Sequence, residues 1–354
     1  METSPTVSII VPARNEEASL RRCLESLTGQ AGITFEIIVV DDGSTDRTHQ
    51  IAESFAGVRV IQPPPLRCGW TGKNNAVTAG AREARGPWLL FTDADTFHQP
   101  GSLTRAVAEA HAQHADLLSY SPEQQVRGFW EKAVMPVIFA ELASTYRPSE
   151  VSDPRSPVAA ANGQYLLISR EAYDAVGGHA LIAASLLEDV ALAGAVKASG
   201  RKIFFRYGGD AVSTRMYRTF AQLREGWTKN LALLFPAPGG LAALRLAEFT
   251  LIVGGAVVSM VMFGQARPTL AVSAGVFTAA VFATLMKRIR KAHFAWDATL
   301  LSLFGLPLFS YLLLRSRISH KRGTVSWKGR AYGDPSNVES LKNKSVQPVH
   351  GTTH

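Results

Sequence analysis

The sequence predicts an α/β domain with a mostly parallel central sheet, followed by a helical region suited to a membrane. Three observations point there. Short β-branched apolar runs alternate with helical patterns from Val7 to about Thr214, the pattern of a sheet covered by helices on both faces. Carboxylates follow two of those runs directly, Asp41 and Asp42 after one, Asp93 and Asp95 after another, where such sheets bind ligands. Beyond about Leu246 charge thins out and three uncharged apolar windows follow.

Taken in order, Val7–Pro12, Glu36–Val40, Val58–Gln62 and Trp88–Thr92 read as buried strands, each ended by turn residues or carboxylates. The segments 16–28, 45–56, 72–85 and 101–114 read as the helices between them. Asp116–Asn230 is less regular, with a strand at Gln164–Ser169, a helix from Leu187 to about Ser199 and a strand near Lys202–Phe205. Within it, residues 126–147 are apolar and aromatic with few charges. They suit either a core helix broken by Pro136 or a helix in the membrane interface, with Phe129, Trp130 and Phe139 against acyl chains.

Phe249–Ala266, Pro268–Met286 and Ala298–Leu314 each approach the roughly 20 residues needed to cross a bilayer core. The basic loop Lys287–Lys291 should face the cytoplasm, which implies a cytoplasmic N-terminal domain, a first span outward and a second span back. Gly305 and Pro307 interrupt the third window, so a re-entrant or interfacial hairpin stands beside a third crossing. The tail is expected to return to the cytoplasm. The resulting plan is a site-bearing domain over residues 1–235, a membrane region of two or three helices over 236–318 and a basic polar tail over 319–354, in a multi-pass protein of the inner (cytoplasmic) membrane.

The net charge of +8 admits nucleic acid, an anionic membrane or anionic substrates. No basic run interleaved with stacking aromatics occurs in the first half, so nucleic acid is not expected as a partner. Lys287, Arg288, Arg290, Lys291, Arg315, Arg317, Lys321 and Arg322 lie beside the apolar windows, a placement suited to lipid headgroups. Cys23 and Cys68 have no metal-ligand spacing and read as reduced thiols. The first residues, METSPTVSIIVPARNEE, do not form a signal peptide.

Moving a sugar from a nucleotide diphosphate requires a hold on the nucleoside, a divalent cation at the diphosphate and a base for the acceptor's proton. VVDDGSTD (39–46) offers Asp42 for the uracil or ribose and Asp41 to order the turn, against a plain Asp-Gly turn capped by Ser44 or Thr45. In FTDADT (91–96), an extended backbone would project Asp93 and Asp95 to one side and let both address one hard cation. Glu188 and Asp189 stand at a helix start, where acidic residues also simply favour the helix dipole. Asp189 is the candidate general base. In GWTGKNNA (69–76), Lys73 offers a point charge for phosphate, or is an ordinary solvated lysine.

Together these segments, with VSIIVPARNEE, ANGQYLLISREAYDAVGGH and LLEDVALA, resemble the family 2 glycosyltransferases of GT-A fold, from Val7 to about Asn230. The resemblance implies an inverting transferase using Mg2+ or Mn2+ and a nucleotide sugar, with UDP favoured. It places nucleotide contacts at Pro12, Arg14, Glu16, Asp41, Asp42, Lys73 and Asp93, the metal at Asp93 and Asp95, and the base at Asp189. Glu188, Asn162, Gln164, Arg215, Arg218 and Trp227 are assigned to the acceptor or diphosphate. The chain is similar to membrane-associated bacterial members of carotenoid and hopanoid pathways, which share a WKGR-x-Y motif (here Trp327–Arg330 and Tyr332) and imply a lipid-like, terpenoid acceptor and membrane lipids as partners. Processive synthases of the family carry Gln-x-x-Arg-Trp. Here Gln222 and Trp227 have the wrong spacing and Arg224 sits elsewhere, which argues for single transfer.

Three other readings remain at this stage. A polyprenyl phosphate acceptor would arrive as an anion and need no strong base. A nucleotidyltransferase would need a Gly-rich, Arg-bearing N-terminal loop that the chain lacks. A non-catalytic membrane scaffold of the same fold would be expected to lose Asp93, Asp95 or Asp189, and all three are present.

Overall fold

The computed structural model describes residues 4–332. In chain order the elements are β1 (Val7–Ala13), α1 (Leu20–Thr28), β2 (Phe35–Asp41), α2 (Thr48–Glu53), β3 (Val58–Ile61), α3 (Gly72–Glu83), β4 (Trp88–Phe91), β5 (Thr96–His98), α4 (Ser102–Ala112), β6 (Leu117–Ser121), β7 (Glu123–Gln124) and α5 (Phe129–Thr145). There follow α6 (Pro148–Ser152), β8 (Leu166–Ser169), α7 (Arg170–Ala175), α8 (Gly178–Leu181), α9 (Glu188–Ala198), β9 (Ile203–Tyr207), β10 (Val212–Thr214) and α10 (Phe220–Leu234). Three long helices, α11 (Pro238–Gly264), α12 (Pro268–Ile289) and α13 (Trp296–Lys321), precede a two-stranded hairpin of β11 (Ser326–Trp327) and β12 (Arg330–Ala331). The chain divides into two compact units. The first runs to Arg127 and adds Phe139–Met216 and Ala292–Phe294; the second comprises Gly128–Ile138, Tyr217–Lys291 and the chain from Ala295.

The first unit is built on a seven-stranded sheet in the order β3-β2-β1-β4-β8-β6-β9. All strands are parallel except β8, which runs against β4 and β6. Alternation along β1 feeds two cores. Ile9 and Val11 face one with Leu20, Leu24 and Val107, while Ile10 faces the other with Val77, Leu89 and Ile168. Helix α3 packs close on the second face because Gly80 leaves no side chain there; a Cβ would lie 3.0 Å from Val40 and nearer still to Ile10. A smaller sheet, β5-β10-β7, brings the chain after β4 beside Val212–Thr214.

Helices α1 and α2 begin later than the sequence suggests, because the polar residues ahead of them are used between loops. The Thr45 amide donates to Asn15 Oδ1 at 2.8 Å and the Asn15 amide to Ser44 Oγ at 3.1 Å. Ser44 and Thr45 therefore join the β1 and β2 loops instead of capping α2. Pro136 does not break its helix, and α5 continues through it. Val134, Val137 and Ile138 of α5 are buried, while Phe129 and Trp130 are exposed.

In the second unit all three long helices are long and apolar enough to cross a membrane. Pro307 does not interrupt α13. Its missing N–H removes one rung, and the helix holds on either side, where the Ser302 hydroxyl bonds Thr299 O at 2.6 Å and Ser310 bonds Leu306 O at 3.0 Å. At one end of the hairpin of α11 and α12, Arg288 grips Glu248 with two bonds of 2.7 and 3.0 Å, and Arg245 adds a third at 3.0 Å.

Candidate active site

Strand β1 lies between β2 and β4, so the loops after these three strands meet at one edge. The first cluster joins the loops after β1 and β2. Asp41 Oδ1 accepts from the Ser44 amide at 3.0 Å and its Oδ2 lies 3.1 Å from His49 Nδ1, so this carboxylate orders the turn. Asp42 is buried, its amide donates to Ala13 O at 2.9 Å, and its carbonyl takes Arg14 Nη1 at 2.7 Å. The Glu16 amide donates to Thr48 Oγ1 at 2.7 Å, and its carboxylate accepts the Ser19 hydroxyl at 2.9 Å.

The second cluster gathers four distant segments. Lys73 Nζ sits 2.7 Å from Asp93 Oδ1 and 2.6 Å from Glu188 Oε1. Asp189 Oδ2 accepts the Gly163 amide at 2.9 Å and Oδ1 the Val190 amide at 2.8 Å. A pocket open to solvent is lined by Pro12, Lys73, Thr92, Asp93, His179, Glu188 and Asp189 together with Gly163 and apolar side chains.

Local chemistry explains how they meet. Thr71 caps α3, accepting the Asn74 amide at 3.2 Å. From the first turn of that helix the buried Asn74 side chain reaches Ile182 O, Ala183 O and Ser185 O at 2.9, 3.0 and 3.0 Å, and Thr71 N adds a bond to Ala183 O at 2.8 Å. These bonds fix the loop that leads into α9, and so bring Glu188 and Asp189 to Lys73 on α3. Gly163 completes the approach, since a Cβ there would lie 3.2 Å from Lys73 Nζ and 3.3 Å from Glu188 Oε1. Sequence alone assigns no role to Asn74, Gly163 or His179, although GKNN, ANGQ and GGH each carry an unusual polar or glycine pairing.

Burial, reinforced by the charge of Glu188, pushes the Asp189 carboxyl up to about 6, against Lys73 and two amides that pull it down. For Lys73 burial pulls downward, but the carboxylates of Asp93 and Glu188 outweigh it and hold the ammonium well above the usual lysine range. Burial takes His179 down to about 4, so its ring is neutral at pH 7. That ring lies 3.0 Å from the Tyr173 hydroxyl and edge-on to Phe91 at 4.7 Å.

Asp93 and Asp95 do not lie on an extended backbone. After β4 the chain turns at Ala94 and Asp95, and Thr96 ties back to Asp93 O through its amide at 3.3 Å and its hydroxyl at 2.7 Å. The expected i, i+2 projection is replaced by a turn, and Asp95 stands outside the pocket lining. Asn162 Oδ1 accepts the Gln164 amide at 2.9 Å, and Gln164 O accepts the Thr92 hydroxyl at 2.8 Å. These two residues shape the turn that offers Gly163, which lines the pocket in their place. Arg215 follows β10. Arg218 and Trp227 belong to the second unit, where Trp227 is buried with Nε1 3.3 Å from Met135 Sδ. Gln222 is spent in a capping box with Thr219 at the start of α10.

A half-buried carboxyl pushed up to about 6 is a competent proton acceptor close to neutrality. The fold is that of a glycosyltransferase. Residues 8–177 match the model of the family described as Glycosyl transferase family 2. It is similar to the 4,4'-diaponeurosporenoate glycosyltransferases of Staphylococcus aureus strains MRSA252 and USA300, each 28% identical over 339 residues, covering 92% of this chain and 88% of the relative. Among solved structures it resembles a mannosyltransferase from Pyrobaculum calidifontis in complex with GDP-Man and Mn2+, with TM-score 0.52, 18% identity, and coverage of 90% of this chain and 87% of that one. That likeness establishes the GT-A type of fold.

Proposed function

We propose that the chain is a membrane-anchored inverting glycosyltransferase that moves a hexose from a UDP-sugar to a carotenoid or other terpenoid acceptor at the cytoplasmic face of the inner membrane. One observation carries the reading: Lys73, Asp93, Glu188 and Asp189 converge on a single pocket. The similarity to enzymes named for glycosylating diaponeurosporenoate supports the acceptor class, because it extends over 92% of the chain and so reaches the long apolar helices.

Asp42, with Arg14 on its carbonyl, faces the nucleoside, and Lys73 faces the diphosphate. With an alcohol acceptor, Asp189 takes the hydroxyl proton as that oxygen attacks the anomeric carbon and the nucleoside diphosphate departs; an acid acceptor attacks as its carboxylate and needs no base. Asp93 and Asp95 are the residues that would hold a divalent cation. Asp93 lines the pocket, and Mg2+ or Mn2+ is commonly bound by one or two carboxylates and completed by substrate phosphates. When bound, such a cation neutralises charge on the leaving diphosphate.

The test is a comparison of lipid extracts from cells with and without the chain, by mass spectrometry. The expected result is a terpenoid species heavier by one hexose in the first. Identical extracts, together with no Mn2+-dependent release of nucleoside diphosphate from any donor by folded protein, would leave the scaffold reading.

A further inference from the structure

Both halves of α13 are held by segments confined to one face of a bilayer. Gly128–Ile138, the start of α5, is flanked on either side by chain of the first unit. Its rise of about 16 Å is half of the roughly 30 Å hydrocarbon core, so it enters and leaves on the same face. Helix α10 begins within a few residues of the same unit and at about 22 Å is also too short to cross. Within the second unit α13 binds both. Asp297 Oδ2 meets Lys132 Nζ at 2.5 Å, and Gly305 lies against the Ala133 carbonyl. At the other end Ser316 enters the backbone ladder of α10, accepting from Ala232 N at 2.9 Å and donating to Thr228 O at 2.7 Å, while His320 Nε2 reaches Lys229 O at 2.8 Å. Between them Ser310 donates to Ala242 O at 2.9 Å, ahead of Glu248 where the uncharged part of α11 begins. Asp297 and His320 are separated by about 35 Å of helix, and a crossing helix cannot keep both ends on one side.

The surface of α13 agrees. Half of its most apolar stretch is buried in protein, against 6% for α11 and 11% for α12. Its exposed large side chains are Trp296, Leu300, Phe304, Tyr311, Leu314 and Ile318, which fall within a sector of about 80° at 100° per residue. Arg315 and Arg317 flank that stripe on either side and are exposed, as snorkelling cations at a headgroup layer would be.

We propose that α13 is an in-plane helix on the catalytic face, its apolar stripe among lipid acyl chains and its arginines at anionic headgroups. The chain then crosses the membrane twice, by α11 and α12, and the segment after α13 stays with the catalytic unit. The surface so formed is a lipid-facing platform at the depth where an apolar acceptor resides.

The test uses the full chain with Cys68→Ser, which removes the exposed native thiol and leaves Cys23 buried. Single cysteines are added as Gln265→Cys, Lys291→Cys or Thr324→Cys and labelled with a membrane-impermeant maleimide in spheroplasts and in inverted vesicles. Thr324→Cys is expected to label in the same preparation as Lys291→Cys; labelling together with Gln265→Cys overturns the proposal. Nitroxides at Leu300→Cys, Phe304→Cys and Ile318→Cys, in vesicles containing anionic lipid, should report one shallow depth. A depth changing by about 1.5 Å per residue along the helix would mean a crossing. Neither measurement involves donor or acceptor, so its outcome is independent of the transferase reading.

Discussion

Asp189→Asn removes one ionisation while keeping the side chain's shape. A carboxyl moved from 3.8 to about 6 by burial has its charged form disfavoured by roughly 3 kcal/mol at about 1.36 kcal/mol per pH unit. Partial exposure reduces this to roughly 1–2 kcal/mol. The folded pKa is raised, so the protonated group favours folding below about pH 4, and that contribution is lost as pH rises through about 6. The Asn variant has no such loss. Any fixed penalty from its amide facing Gly163 N or Val190 N is the same at every pH. The melting temperature of the variant relative to wild type should therefore rise by roughly 4 °C between pH 4 and pH 7.5. Parallel melting profiles over that range would refute the placement of a charged, half-buried carboxylate at 189. Activity separates the acceptors. With a hydroxyl acceptor, kcat/KM of wild type should fall about tenfold per pH unit below about 6, and the variant should lose roughly 10²–10⁴-fold. With a carboxylate or phosphate acceptor, already an anion, both effects should be small.

Asn74→Ala strips its bonds from the loop before α9 and leaves Ser185 O without that partner; unfolding measurements should show a loss of about 1–3 kcal/mol, and kcat should drop roughly tenfold or more as Asp189 shifts. A variant equally destabilised but fully active would make the loop purely structural. Gly163→Ala, by contrast, asks nothing unusual of the backbone and sets a methyl 3.2 Å from Lys73 Nζ; activity should fall by about tenfold with the melting temperature nearly unchanged, and the reverse pattern would place the glycine in the fold and not in the pocket.

The parallel half of the sheet is readable in sequence because its strands are buried on both faces and appear as unbroken apolar runs. β6 and β10 are not, since LLSYS and VST are too short and too polar to separate from loop. The carboxylates of the pocket are legible as types at strand and helix ends. Their convergence is not, because it depends on Asn74 binding backbone carbonyls about 110 residues further along, an interaction with no periodic signature. Backbone detail at Asp93–Asp95 escapes for a related reason: Thr96 pulls the segment into a turn through one side-chain bond. Pro307 misleads in the other direction, as a helix buried along one face tolerates the lost rung.

Charge accounts for why such a pocket should work only with a cation. Asp93, Glu188 and Asp189 oppose a single ammonium, so the lining carries about two net negative charges when Asp189 is ionised and about one when it is protonated. A diphosphate brings roughly two more into partial burial, where like charges repel by more than they do in water. Lys73 cannot offset both, being already shared between two carboxylates at 2.7 and 2.6 Å. On the proposed reading a divalent ion would release Lys73 from Asp93 and free it for phosphate.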